Sequence, residues 1–424
     1  MSSCLCVLAL LHGCSAVPSK QPLPTTWTTG FWVWGGQSSP SPLTNPLDAA
    51  YIQVSESEYF PDTKLPAAKE YWAVYRFEGQ SVPPLSAAAE VQSKFERFVA
   101  EARRQKRNVV GIQLDIDSPT SHLGEYATFL AAVKKTLPQG TKLSITALLD
   151  WFRDGTDIVA VIDQVDEFVP QFYDIAKPQE GGNDQAIAAK VDAAKWGPRF
   201  NRFGKPYRIG ISTFGRARFV SDHAQTGSPT VLYREVTPLD LGSQFALSTS
   251  RNDAGEVVLT YRASQEVSVE YQSFQQGEGV QFIVPTPAGV RAATAEAKKM
   301  GEYAAGVVYF RWPGEYESLF VSAAEILGEE QVPVVETADG GCVAVKCVDV
   351  TLRHSDRFAT GAVRYRVRSS QPLDYFLPAE RIPARLSAPN EVELVMPPYA
   401  GRDRLALGRA VSADAVTFTV EAVR

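Results

Sequence analysis

Residues 109–120 read VVGIQLDIDSPT. Apolar residues alternate with Gln113, Asp115 and Asp117, so one face of a short strand is oily and the other carries an amide and two carboxylates. Charged side chains inside an apolar strand need a partner or a task. Such a strand fits a parallel sheet covered by helices, where polar groups collect at the strand's C-terminal end.

The surrounding sequence repeats the pattern. Short apolar runs occur at GFWVWGG (30–36), AYIQVSE (50–56), YWAVYRFEG (71–79), VVGIQLDID (109–117), KLSITALLD (142–150), EFVPQFYD (167–174), YRIGISTFG (207–215) and AGVVYFRW (305–312). Segments with apolar residues three and four apart lie between several of them: AAAEVQSKFERFVAEARR (87–104), GEYATFLAAVKKTL (124–137) and VRAATAEAKKMGEYA (290–304). The fold class predicted is α/β, a closed (β/α)₈ TIM barrel over residues 25–328. Little helix separates the second and third strands. Residues 217–285 break the rhythm with alternating stretches at 256–264 and 267–274, which predict a β-rich lobe inserted between strands 7 and 8. Residues 329–338 read as a linker. Over residues 339–424, Val363, Tyr365 and Val367 alternate with three arginines, and AVTFTVEAV repeats the period of two; this predicts a small immunoglobulin-like β-sandwich.

At 424 residues the chain is long enough for two domains, and 45% hydrophobic with 21% charged residues is ordinary for a globular protein. A net charge of −6 argues against nucleic-acid binding; the basic run Arg103, Arg104, Lys106 and Arg107 reads as the C-terminal end of a helix. In the leader, residues 1–24, the apolar run Leu5–Leu11 is far shorter than the ~20 residues of a membrane span. It ends in Leu11-His12-Gly13-Cys14, which resembles a bacterial lipoprotein signal with Cys14 as the lipidated residue, although a basic n-region is missing and His12 is unusual there. The expectation is an exported cell-envelope lipoprotein that meets a membrane only through this anchor. Cys342 and Cys347 are then a small-loop disulfide or two reduced strand cysteines. His122, His223 and His354 are scattered and no paired CxxC occurs, so neither metal nor cofactor is expected.

The strand ends hold the candidate chemistry. Arg76 and Glu78 share a face at the end of the third strand, and Gln113, Asp115 and Asp117 at the fourth. Ser144, Thr146 and Asp150 follow on the fifth, with Trp151 adjacent; then come Gln171-Phe172-Tyr173-Asp174, Phe214-Gly215-Arg216 and Tyr309-Phe310-Arg311-Trp312. One such pair alone reads as an ion pair plugging a barrel. Several strand ends offering carboxylates, arginines and aromatics together fit a cleft for an oligo- or polysaccharide, where rings stack on pyranose faces and carboxylates handle hydroxyls and protons. No G-x-S-x-G elbow, HExxH helix or phosphate loop ending in GK[ST] occurs, which argues against serine and metal hydrolases.

These residues resemble the chitinase-like (family 18) glycoside hydrolases across the barrel region. That family carries D-G-x-D-x-D-x-E on its fourth strand, M-x-Y-D at the sixth, a G-x-x-x-x-G-R-like seventh strand and an inserted lobe before the eighth. IGISTFGR (209–216) matches the seventh, and QFYD (171–174) resembles the sixth with Gln171 in place of methionine. VWGG, LDIDSPT, LSITALLDW and DEFVPQFYD are closer still to an uncharacterised bacterial barrel family known as a domain of unknown function. On the fourth strand two alignments are open. Pairing Asp115 and Asp117 with the family's second and third aspartates leaves Pro119 at the glutamate, implying a differently built enzyme or a dead one, that is, an inactive glycan-binding or structural protein. Pairing Gly111 with its glycine, the preferred alternative, puts Gln113, Asp115 and Asp117 on the inward positions and Asp117, shorter by one methylene, at the acid. The resemblance then implies a buried, protonated Asp117 as general acid, Asp115 ionised beside it, Tyr173 donating near the reacting centre and Asp174 activating water, with Asp150 a further candidate for that role. Trp34 and Trp312 are expected to form the sugar platform, with Arg76, Glu78, Gln113, Asp150, Trp151, Gln171, Arg216 and Arg311 as further substrate contacts.

Overall fold

The structure, a computed structural model, describes residues 21–34, 43–54, 65–77, 81–173, 190–221, 238, 241, 244–251, 256–269, 272–312, 320–329, 334–353, 363–379, 382–396 and 404–423. In chain order the barrel elements are β1 (Thr28–Val33), β2 (Leu47–Gln53), β3 (Ala68–Arg76), α1 (Ala87–Arg104), β4 (Val109–Asp115), α2 (Leu123–Thr136), β5 (Lys142–Leu148), α3 (Ile158–Gln164), β6 (Glu167–Gln171), α4 (Ala193–Asn201), β7 (Tyr207–Ser212), α5 (Pro287–Ala297), β8 (Ala304–Trp312) and α6 (Ala323–Leu327). The eight strands are all parallel to their neighbours and close as the predicted barrel, with β8 between β7 and β1. No helix lies between β2 and β3 among the described residues.

Two cores follow from the period of two. Ile112 and Leu114 of β4, Phe31 of β1 and Tyr71 and Ala73 of β3 face outward into the layer shared with the helices. α1 supplies Ala88, Val91, Phe95, Phe98 and Ala102 to that layer, spaced by three and four residues, and ends with Arg103 and Arg104 in its last turn. Each buried phenylalanine contributes roughly 1.5–3 kcal/mol of hydrophobic stabilisation. Inside the barrel a second cluster gathers Trp32, Tyr51, Trp72, Val74, Val169, Tyr173 and Val308. Gly111 makes room for it: a Cβ there would lie 2.6 Å from the Trp72 ring and 2.5 Å from the Lys142 carbonyl oxygen.

The interior also holds charge. Arg208 of β7 pairs with Glu167 of β6, both nearly sealed from solvent, and Arg208 Nε donates to Thr28 Oγ1 at 2.9 Å. The Tyr51 hydroxyl (3.0 Å) and Ser144 Oγ (3.2 Å) donate to the same Glu167 oxygen.

Between β7 and β8 the lobe is an antiparallel sheet in the order Arg216–Val220, Gly279–Val284, Val257–Ala263, Phe245–Arg251. The stretch 267–274, expected as one strand, is instead two short strands, Val267–Val269 and Gln272–Phe274, paired antiparallel. Beyond α6, which a Ser322/Glu325 capping box starts, the remaining strands form two four-stranded antiparallel sheets around Val350, Leu352, Tyr365, Val367, Leu394 and Leu407. Arg366 and Arg368 lie on the outer face of one sheet, paired with Glu391 and Glu421. Cys342 and Cys347 are disulfide-bonded.

Glu167→Ala strands a buried guanidinium. It should lower unfolding free energy by about 3–5 kcal/mol; a loss below about 1 kcal/mol in chemical denaturation would show that the ion pair is not needed inside the barrel.

Candidate functional site

The polar face of β4 rises through the barrel in three steps. Gln113 is fully buried: its Oε1 accepts from Trp32 Nε1 at 2.6 Å and its Nε2 donates to Ser144 Oγ at 3.0 Å. It is therefore an internal strut between β1, β4 and β5, and the expectation that it touches substrate is corrected. Asp115, 3% exposed, comes next. Its Oδ1 accepts from Thr146 Oγ1 at 2.6 Å and Gln171 Nε2 at 3.4 Å, and its Oδ2 from Arg76 Nη1 at 3.3 Å. Arg76 and Asp115 are ladder partners in the β3–β4 register, which fixes this contact. Asp117, just past the end of β4, lies 3.8 Å from the Arg76 guanidinium with its side chain 42% exposed.

The two carboxylates thus differ in environment, but in the opposite sense to the expectation. Burial falls on Asp115 and not on Asp117, because β4 ends at Asp115 and the next inward position is already at the barrel mouth. Desolvation pushes the Asp115 carboxyl above its ordinary range; the Thr146 hydrogen bond and Arg76 oppose this, and the Asp117 charge adds to it.

Tyr173 follows β6 and is also buried. Burial first, then the charges of Asp115 and Asp117, hold its phenol well above the usual value, so it remains a donor. Its ring stacks on Phe310 at 4.6 Å and meets Trp32 edge-on at 5.6 Å. Gly210 leaves space for both, since a Cβ there would be 3.0 Å from Tyr173 and 3.1 Å from Trp32. Trp34, half-buried, packs edge-on against Phe310 at 5.3 Å. Asp115, Asp117, Arg76, Thr146, Gln171, Tyr173, Phe310 and Trp34 therefore form one cluster at the C-terminal end of the barrel.

Other expected members are elsewhere. Trp312 is 1% exposed and packs edge-on against Phe31 in the outer layer, because the register of β1 against β8 slips between Phe31 and Val33. It offers no open face, and the half-buried Phe310 stands where the platform was expected. Trp151 is equally buried beside Tyr126 and donates to the Ser118 carbonyl at 2.9 Å. Asp150 falls in a 3₁₀ turn after β5, where the period of two ends, and is an exposed partner of Arg153 at 2.6 Å. Arg311 is buried with its guanidinium over the Phe320 ring. Arg216 opens the first strand of the lobe. Glu78, Asp174 and Cys14 lie outside the described residues. Thr146 and Phe310 are legible in the sequence as inward or terminal strand positions; the Glu167–Arg208 pair carries a weaker signal, Glu167 being the first residue of β6 and Arg208 the second of β7. Among the described residues no group of three or more His, Cys, Asp or Glu is placed to hold a metal.

The class that this architecture defines is a closed (β/α)₈ barrel with a β lobe before the last strand. Residues 68–241, from β3 into the lobe, match the family described as "Domain of unknown function (DUF3142)". No curated protein matches the chain. Among solved structures, the spore cortex-lytic enzyme SleL of Bacillus cereus is similar at 14% identity and TM-score 0.43, covering 70% of this chain and 73% of that one. A chitinase from Chromobacterium violaceum ATCC 12472 is similar at 11% identity and TM-score 0.42, covering 72% and 98%. The C-terminal domain of a putative chitinase from Desulfitobacterium hafniense DCB-2 is similar at 14% identity and TM-score 0.45, covering 68% and 95%.

A carboxyl raised in the folded state adds stability below the ordinary carboxylate range and loses it as pH climbs through the raised value. Asp115→Asn removes that dependence. The stability of this variant relative to wild type should therefore increase from acid pH toward neutrality in denaturation series; a difference that is flat with pH would contradict the assignment of the buried charge to Asp115.

Proposed function

We propose that this protein is an exported glycoside hydrolase that cleaves an envelope or environmental polysaccharide at the β4 end of the barrel. The observation that carries the reading is the pair of carboxyls on one face, Asp115 buried and Asp117 open, with Arg76 between them at 3.3 and 3.8 Å. Asp117 is the group that a glycosidic oxygen can reach. Its contact with Arg76 is long, so a sugar entering the mouth can displace the guanidinium and leave Asp117 beside Asp115 without its counter-ion. There it is placed to serve the leaving oxygen as general acid. Asp115, anchored by Thr146 and Gln171, stabilises positive charge developing at the anomeric carbon or orients a substituent that does so. Tyr173 donates beside it, and Phe310 with Trp34 presents ring surface to a pyranose.

Export is part of the proposal. The Leu5–Leu11 run before Cys14 supports it, as does the Cys342–Cys347 disulfide, a bond that persists in oxidising compartments.

One observation favours a second reading, a barrel that binds glycan without cleaving it. Arg76 engages both carboxylates, and the acid position holds an aspartate one methylene shorter than glutamate. A polysaccharide panel assayed for new reducing ends separates the two. Turnover by wild type, reduced about 10²–10⁴-fold in Asp117→Asn with unchanged circular dichroism, is the expected result. Undiminished turnover in that variant rules out Asp117 as the acid, and binding without turnover establishes the second reading.

A further inference from the structure

The opposite end of the barrel takes no part in this chemistry. The helices run back along the strands, so their C-terminal ends meet at the N-terminal mouth, as three contacts show. Arg107 lies over the Tyr71 ring near the start of β3, Lys134 is 3.5 Å from Asp166 just before β6, and Lys298 lies over Trp27 just before β1. Arg103, Lys106, Lys135, Lys142, Arg202 and Lys298 are all exposed on this face, and none is in an ion pair with a described residue. The acids Asp48, Glu101, Asp166 and Glu296 are each held by a different cation: Lys69, Arg104, Lys134 and Lys299. Glu70, Glu96, Asp163, Glu302 and Glu329 remain, against these six together with Arg107 and Lys205. Helix dipoles explain cations in a last turn, but Lys106 and Lys142 lie outside the helices. In a chain of net charge −6, this face is a cationic exception, while the carboxylates of the site stand at the far end of the strands.

Two further features belong to the same face. A cavity of about 540 Å³ between α1 and the β4–β5 end combines apolar walls, Phe95, Val99 and Val109, with Arg103, Lys142 and Glu96. The chain preceding the barrel also leaves from here: the Gln21 N–H donates to the Gly204 carbonyl at 2.9 Å, and residues 24–28 line the mouth beside Lys69 and Arg208. Cys14 is seven residues upstream of Gln21, at most about 24 Å along an extended chain.

We propose that the N-terminal face of the barrel docks on a bilayer of anionic phospholipid, with the carboxylate cleft directed away from it. The tether argument rests on the export reading; the charge argument does not. Clustered lysines and arginines on one face draw a protein to anionic headgroups, and a tether emerging from that face holds them within reach.

The test uses the full chain with Cys14→Ser, so that lipidation cannot carry the result. It is sedimented with vesicles of phosphatidylcholine alone or with about 30 mol % phosphatidylglycerol. Partition onto the anionic vesicles should exceed that onto neutral ones by about tenfold or more and fall as NaCl rises to about 0.5 M. The variant K106E/K135E/R202E/K298E should drop to the neutral-vesicle level, whereas K346E/R364E on the sandwich should bind as wild type. Equal partition of wild type onto both vesicles, or full binding by the quadruple variant, overturns the proposal. The mass of the Cys14-containing peptide from cells checks lipidation separately, so failure of the export reading and failure of the docking face are distinguishable.

Discussion

A carboxylate enclosed by a barrel must be met by donors from neighbouring strands, and Asp115 is met by three: Thr146 on β5, Gln171 on β6 and Arg76 on β3. Leaving such a group unpaired costs several kcal/mol. Below it, Gln113 links Trp32 to Ser144, and Ser144 reaches Glu167, which Tyr51 and Arg208 complete. Polar contacts thus step from strand to strand along the interior. A one-residue slip in any strand would turn its members outward, so these hydrogen bonds specify register as well as the position of the site.

The same constraint divides the work between the two aspartates. Asp115 is anchored by its three donors inside the wall, and Asp117 stands where the wall ends. Arg76 joins them while remaining 41% exposed, so it has room to move when a ligand arrives. The aromatic side of the site is likewise set by packing: Tyr173, Phe310 and Trp34 support one another, and the glycine at position 210 lets Tyr173 approach Trp32.

Much of this was legible in the sequence. The eight strands, the inserted lobe and the terminal β domain follow from hydrophobic period and turn spacing, and α1 occupies the very residues, 87–104, whose three-and-four spacing predicted it. The inward parity of Gln113 and Asp115 was readable for the same reason. Parity fails where strands stop being regular. Trp312 turns outward after the slip between β1 and β8, Asp150 leaves the pattern in a 3₁₀ turn, and Asp117 lies beyond the last ladder position of β4. The number of partners around a buried charge is also a tertiary property, which is why the Glu167–Arg208 pair carries no sequence signal stronger than two charges within the first two residues of their strands.

The central claim is that the mouth above Asp115 is where a sugar binds. A crystal structure of Asp117→Asn with an oligosaccharide from the most responsive polysaccharide tests it most directly. The expected result is a pyranose against Phe310 and Trp34, its glycosidic oxygen within about 3 Å of the residue 117 side chain, and Arg76 displaced from that position. Sugar bound only on the lobe or the terminal sandwich, with Arg76 still bridging residues 115 and 117, would contradict it.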